Sequence, residues 1–97
     1  MIPYSTQSIS NQDISAVTKI LKSRLITQGK VVQIFEKTLA KKVGAKYAVS
    51  ANSATSALHM ACLALGLSKK DYLWTSSNSF VASANCGRFC GANIDFV

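Results

Sequence analysis

Ser53, Thr55 and Ser56 cluster three hydroxyl groups in the middle of the run Val49-Ser50-Ala51-Asn52-Ser53-Ala54-Thr55-Ser56-Ala57-Leu58. The run reads as a short buried strand that turns, through small residues, into the start of a helix. Such a junction leaves several backbone N–H groups without partners and pointing one way, and the helix dipole adds partial positive charge there. With hydroxyl donors beside them and Ala54 allowing close approach to the backbone, these groups form a cup for a phosphate. The competing reading is an ordinary helix cap, in which Asn52 or Ser53 satisfies the first helical amides and no ligand binds.

Other reactive side chains are few. Cys86 and Cys90 are four residues apart and share a helix face, Cys62 lies in a different helix, and the single His59 has no route to complete a zinc site. Three thiols are also an odd set for a disulfide framework, so they read as small core residues in a reducing compartment and no metal is expected. His59 reads as packed or exposed rather than catalytic.

The chain has 97 residues, 48% of them hydrophobic, which allows one globular domain at most. Its net charge of +7 is scattered, with Lys41-Lys42 and Lys69-Lys70 as the only adjacent basic pairs. Without a clustered basic face or a known motif, nucleic acid is not an expected partner. A solvated surface mildly attractive to anionic ligands is the better reading. The start, Met1 to Gln7, lacks the basic and apolar runs of a signal peptide, and no stretch is long enough to span a membrane. A cytoplasmic protein is the expectation.

Helical spacing of Ile14, Val17, Leu21 and Leu25 behind a Ser10–Asp13 capping box predicts a helix from about Asn11 to Ser23. After a break at Ile26 to Gly29, a second helix carries Val32, Phe35, Leu39 and Val43 and stops at Gly44. The rhythm then changes to strand Lys46–Ser50, helix Thr55–Leu65, strand Tyr72–Ser76, helix Phe80–Phe89 and strand Asn93–Val97. Leu58, Ala61, Cys62 and Leu65 are the expected inward face of the helix that follows the cup. This alternation predicts an α/β fold: two helices, then βαβαβ with mainly parallel strands. A strand at Ile94 to Val97 with no helix after it looks like the front part of a larger domain, because parallel sheets are covered on both faces.

Thr27-Gln28-Gly29, Phe35-Glu36, Gly44-Ala45-Lys46-Tyr47-Ala48-Val49, Asn52 to Leu58, Ala64-Leu65-Gly66 and Phe80-Val81-Ala82-Ser83-Ala84-Asn85 occur in series. In order and spacing they resemble the N-terminal part of the DegT/DnrJ/EryC1/StrS family of pyridoxal-phosphate-dependent sugar aminotransferases. The resemblance covers essentially the whole chain and about the first quarter of a typical member. With Ile2-Pro3-Tyr4-Ser5 and Leu25 to Gly29 it points to the branch serving pseudaminic acid biosynthesis. That branch aminates a UDP-linked 4-keto-6-deoxy sugar, with glutamate as the usual amino donor. The implied fold is the aspartate-aminotransferase type (fold type I), residues 1–44 giving N-terminal helices and a substrate-side loop and 45–97 the start of the cofactor-binding sheet. Members are homodimers with active sites built across the subunit boundary.

Carried over by position, the resemblance places Ser53, Ala54 and Thr55 at the cofactor phosphate and Phe80 against the pyridine ring, where stacking suits a flat, electron-poor group. Tyr4 and the loop Arg24, Leu25, Ile26 and Thr27 match substrate-side positions, and a nucleotide-sugar diphosphate gives Arg24 an anionic partner. Two departures lie beside the cofactor loop: Lys70-Asp71-Tyr72 where members often have Gly-Asp-Glu, and Ser77 where a proline is common. Members also use a Schiff-base lysine and an acidic residue at the pyridine nitrogen, both well downstream. None of the lysines here stands at a matching position, so no catalytic residue is assigned and the chain alone is expected to be inactive, without covalent cofactor attachment. The alternatives are a non-catalytic phosphate- or cofactor-binding module, an interaction fragment that pairs with a separate C-terminal half, and an unfolded remnant.

Overall fold

The computed structural model describes residues 5–97, so the expectation for Tyr4 lies outside the described residues. Helix α1 spans Asn11–Leu21 and α2 spans Lys30–Val43. The start of α1 is fixed locally. The Ser10 hydroxyl accepts from the Asp13 amide at 3.3 Å, and the Asp13 carboxylate accepts from the Ser10 amide and hydroxyl, both at 2.8 Å. Two otherwise unpaired helix-start donors are thereby satisfied. At the far end of α2, Gly44 takes φ +68, the Ala45 amide donates to the Ala40 carbonyl at 2.9 Å, and the Gly44 amide donates to that of Lys41. That pair of bonds is a Schellman closure, and its left-handed position is cheap only for a residue without Cβ.

From Val49 onward the chain forms a second compact unit, the first ending at Ala48. It contains α3 (Ala54–Ala64), β1 (Tyr72–Thr75), α4 (Ala82–Phe89) and β2 (Asn93–Phe96). Strands β1 and β2 pair in parallel, with Tyr72 opposite Asn93 and Thr75 opposite Phe96. Parallel neighbours need a crossover, and α4 supplies it, packing on both strands while α3 packs on α4. Gly87 is the point of closest approach: a Cβ there would lie 2.7 Å from Ile94 Cδ1 and 2.8 Å from Leu73 Cδ2. The turn into β1 repeats the device that starts α1, the Asp71 carboxylate accepting from the Ser68 amide and hydroxyl at 2.8 Å each. Asp71 is therefore tied into a turn. The buried residues of this unit are small, Cys62, Ala82, Cys86, Gly87 and Ala92.

Three local expectations change. Lys46–Ser50, expected as a strand, forms no ladder with the other described residues, and Tyr47 and Val49 are exposed, so two of the three expected strands are present. A strand exists through hydrogen bonds to a neighbour, and β-forming side chains do not supply one. Helix α4 begins at Ala82, with Phe80 and Val81 in the turn before it. On α3 the inward residue is Cys62, flanked by half-buried Thr55, Ser56 and His59, whereas Leu58, Ala61 and Leu65 are exposed. Apolar residues surround α3 on all sides, so periodicity could not select one face.

Candidate functional site

Ser53 has extended backbone (φ −156, ψ 159) and caps α3, which decides between the two capping candidates in its favour over Asn52. Its hydroxyl accepts from the Ser56 amide at 3.2 Å and donates to the Ser56 hydroxyl at 3.1 Å. The Ala57 amide returns to the Ser53 carbonyl at 3.0 Å. Ala54 and Thr55 are the first two residues of the helix, and amides there have no carbonyl partner within it. Ser53 and Ala54 are exposed, and Thr55 and Ser56 half-buried. The arrangement thus satisfies the cap and leaves the Ala54 and Thr55 amides without a carbonyl partner in the helix, with hydroxyls beside them, the chemistry an anionic oxygen requires.

Phe80 lies in the segment that leaves the carboxyl end of β1, and 76% of its surface is exposed. Ligands of open α/β sheets bind outside the carboxyl ends of the strands. The segment is held from both sides: the Ser83 amide donates to the Phe80 carbonyl at 3.0 Å, and the Ser79 and Ser83 hydroxyls lie 3.1 Å apart. Ser53, Ala54, Thr55 and Phe80 all belong to the second unit, on the two helices that pack together or on their approaches.

Arg24, Leu25, Ile26 and Thr27 belong to the first unit, between α1 and α2. There the Ser23 hydroxyl donates to the Leu25 carbonyl at 3.1 Å, and Gln28 takes the left-handed φ of 55. A groove of about 370 Å³ opens beside this turn, lined by Ile20, Arg24, Leu25, Ile26, Lys30 and Val32 among others. Thr27 does not line it. Lys30, which sequence reasoning did not select, brings a second cation to the groove; its place directly after Gly29, at the start of α2, was the available signal.

Lys46 Nζ lies 5.3 Å from the centre of the Tyr47 ring, and Lys69 and Lys70 are exposed in a turn. His59 meets Phe89 edge-on with ring centres 5.3 Å apart, a packing role between α3 and α4. Burial pushes the Cys62 thiol up to about 11, with contact to Cys86 and then the proximity of Cys90 adding to the effect. Among the described residues no group of three or more His, Cys, Asp or Glu is placed to hold a metal ion. No helix among them is long and apolar enough to cross a membrane.

Comparison with known proteins turns this geometry toward one chemistry. The model of the DegT/DnrJ/EryC1/StrS aminotransferase family matches residues 7–97. UDP-4-amino-4,6-dideoxy-N-acetyl-beta-L-altrosamine transaminase of Campylobacter jejuni (serotype O:23/36, strain 81-176) is 46% identical over 97 residues, all of this chain and 26% of that protein. The spore coat polysaccharide biosynthesis protein SpsC of Bacillus subtilis is 43% identical over 84 residues, covering 87% of the chain and 22% of the relative. A Streptococcus pneumoniae structure described as a sugar aminotransferase in its PLP form superposes with a TM-score of 0.92 at 28% identity, covering 99% of this chain and 24% of that one. An aminotransferase of Psychrobacter cryohalolentis gives 0.87 at the same identity, over 97% and 25%. The fold is therefore that of part of a PLP aminotransferase, and the chain spans about a quarter of the length of the relatives it matches.

Proposed function

The chain belongs to the DegT/DnrJ/EryC1/StrS aminotransferase family, and from that premise we propose that it is an N-terminal segment of an enzyme that aminates a UDP-linked 4-keto-6-deoxy sugar on the route to pseudaminic acid. The identity of 46% with the Campylobacter jejuni transaminase, over 97 residues and the whole of this chain, carries this reading. The donor is glutamate, the working assembly a homodimer and the compartment the cytoplasm.

The start of α3 fits the cofactor's phosphate. Amides of Ala54 and Thr55 lack helical partners, the Ser53 and Thr55 hydroxyls flank them, and Ala54 adds only a methyl group to the approach. Phe80 offers an exposed ring face to the pyridine. Pyridoxal phosphate, when bound, supplies the electron sink for moving an amino group between carbons. The protein's part here is to fix the phosphate and orient the ring. Arg24 and Lys30 flank a largely apolar groove, suited to a nucleotide-sugar diphosphate whose sugar carries a deoxy carbon. No lysine of the chain stands where the family holds its cofactor covalently, so the chain by itself binds without turning over.

The test uses pyridoxamine 5′-phosphate, whose amine cannot condense with surface lysines as the aldehyde would. Titration into the labelled chain is expected to shift the amides of Ala54, Thr55 and Ser56 and the ring signals of Phe80. No amino transfer from glutamate to the keto sugar nucleotide is expected from the chain alone. Shifts that spare α3's first turn, or measurable turnover, would contradict the assignment.

A second reading, a non-catalytic piece that pairs with a separate C-terminal part, is favoured by one observation. Tyr72 and Trp74 on β1 are 64% and 63% exposed on a parallel sheet whose other face is packed by α4. Co-purification of the two pieces would test it.

A further inference from the structure

Cys62 is the buried residue of α3, and among the described elements α4 is the one that packs on α3, so Cys62 lies in the α3–α4 seam. On α4, Gly87 is turned to the sheet, against Leu73 and Ile94. Ala82, Cys86 and Cys90 follow one another at four-residue spacing, which places them on a separate ridge of the same helix. The rings of His59, one turn before Cys62, and Phe89, next to Cys90, meet with centres 5.3 Å apart, which sets the Cys62 stretch of α3 against the end of α4; the influence of Cys86 and Cys90 on the Cys62 thiol agrees with that placement. Three sulfurs therefore meet at one seam, and they differ in access: Cys62 and Cys86 are buried, while Cys90, at the end of α4, is half-buried. The Cys86 thiol is already engaged, donating to the Ser83 carbonyl at 3.3 Å.

We propose that this seam is an oxidant-responsive thiol site, in which peroxide oxidises Cys90 and the product condenses with Cys62 to join α3 to α4 by a disulfide. In the first step the Cys90 thiolate attacks hydrogen peroxide. A sulfur–oxygen bond forms, the peroxide bond breaks, and the hydroxide released takes up a proton as water. In the second step the Cys62 sulfur attacks the Cys90 sulfenic sulfur, the sulfur–oxygen bond breaks, and a second water leaves. The two sulfurs together lose two electrons and peroxide gains them. Cys90 is the entrance because it is the least buried of the three cysteines; Cys62 resolves because it lies across the same seam. The buried Cys62 is the slow partner, since only its thiolate attacks readily and burial disfavours that form. Condensation should accordingly quicken as pH rises toward about 11. The new bond ties the helix that carries the phosphate cup to the helix that follows Phe80.

Trypsin separates the three cysteines into peptides 47–69, 71–88 and 89–97, so the pairing can be read directly. The full chain is treated with hydrogen peroxide, alkylated, digested without reductant and weighed. The expected result is peptide 47–69 joined to 89–97, two hydrogen atoms lighter than the sum, with Cys86 alkylated. Cys90→Ser should abolish the cross-link, and Cys62→Ser should leave a sulfenic acid at position 90 that dimedone traps. Three alkylated thiols after peroxide, a link between two chains, or a Cys62–Cys86 link that persists in Cys90→Ser would each overturn the proposal.

Discussion

The two units use the same local devices and reach different degrees of packing. Up to Ala48, α1 opens with a reciprocal cap at Ser10 and Asp13, and α2 closes on Gly44, yet among the described residues these two helices do not pack along each other. Ile14, Val17, Leu21, Phe35 and Val43 all remain exposed. From Val49 onward the caps are no stronger, but α3, α4, β1 and β2 pack together around Cys62, Cys86 and Ala92. A cap stabilises one end of one helix, and most helical stability comes from burying a face against something else. In the second unit the crossover connection provides that surface. In the first, the apolar stripes of α1 and α2 are written in the sequence, but within that unit the two described helices do not cover each other.

Filling the tightest contact of the second unit should break this difference most sharply. Gly87→Ala would place a methyl 2.7 Å from Ile94 Cδ1 and 3.1 Å from Leu73 Cβ. The side-chain tip can swing aside, but the Leu73 Cβ is fixed by its strand. Overpacking costs about 1–3 kcal/mol, against about 1 kcal/mol that alanine gains over glycine in a helix. The loss wins, and the urea midpoint followed by fluorescence of Trp74, the chain's single tryptophan, should fall. An unchanged or raised midpoint would show that α4 does not pack on the sheet as described.

How the elements were legible follows from the same contrast. Ser10, Gly44 and Ser53 mark helix ends because the reason for each is local: a hydroxyl acceptor two or three residues from an unpaired amide, or a missing Cβ at positive φ. The parallel pairing of β1 and β2 was legible from the helix between them. What could not be read depends on neighbours distant in sequence. Lys46–Ser50 has strand-forming residues and no described ladder, and the inward side of α3 was set by α4 rather than by its own evenly apolar surface. Of the candidate site, the α3 cap was legible to within the pair Asn52 and Ser53, whereas Lys30 at the groove and the meeting of three thiols depend on tertiary placement. Gly87 inside a helix was a signal of close approach that the sequence reading passed over.

Removing one cap from each unit sharpens the comparison at smaller cost. Ser53→Ala and Ser10→Ala each delete a side-chain acceptor for a helix-start amide, worth about 1 kcal/mol. In α3 the loss should appear in the cooperative transition reported by Trp74, because α3 is packed on α4. In α1 it should appear as fraying, seen as faster hydrogen exchange at the amides following Asp13 and a weaker helical circular dichroism signal. Equal effects of both substitutions on the Trp74 transition would mean that α1 is packed more firmly than its exposed Ile14 and Val17 indicate.

The smallest expected effect is a pH response confined to α1. Hydrogen bonds from the Ser10 amide, and then from its hydroxyl, hold the Asp13 carboxyl below its ordinary value of 3.8. A carboxylate favoured in the folded helix contributes stability that is fully present above the unfolded value and is lost as pH falls through the lower folded one. Lowering pH from 5 should therefore leave α1 unchanged until below about 3.8, and then release its first turn as Asp13 protonates and the 2.8 Å bonds weaken. The carboxyl carbon shift of Asp13 and the Ser10 amide proton should titrate together. In Ser10→Ala the carboxyl should move back toward the ordinary value, though not fully, because the backbone amide at position 10 still donates. If the Asp13 titration is the same with and without the Ser10 hydroxyl, the side-chain half of the capping box contributes nothing measurable, and α1 starts on the backbone bond alone.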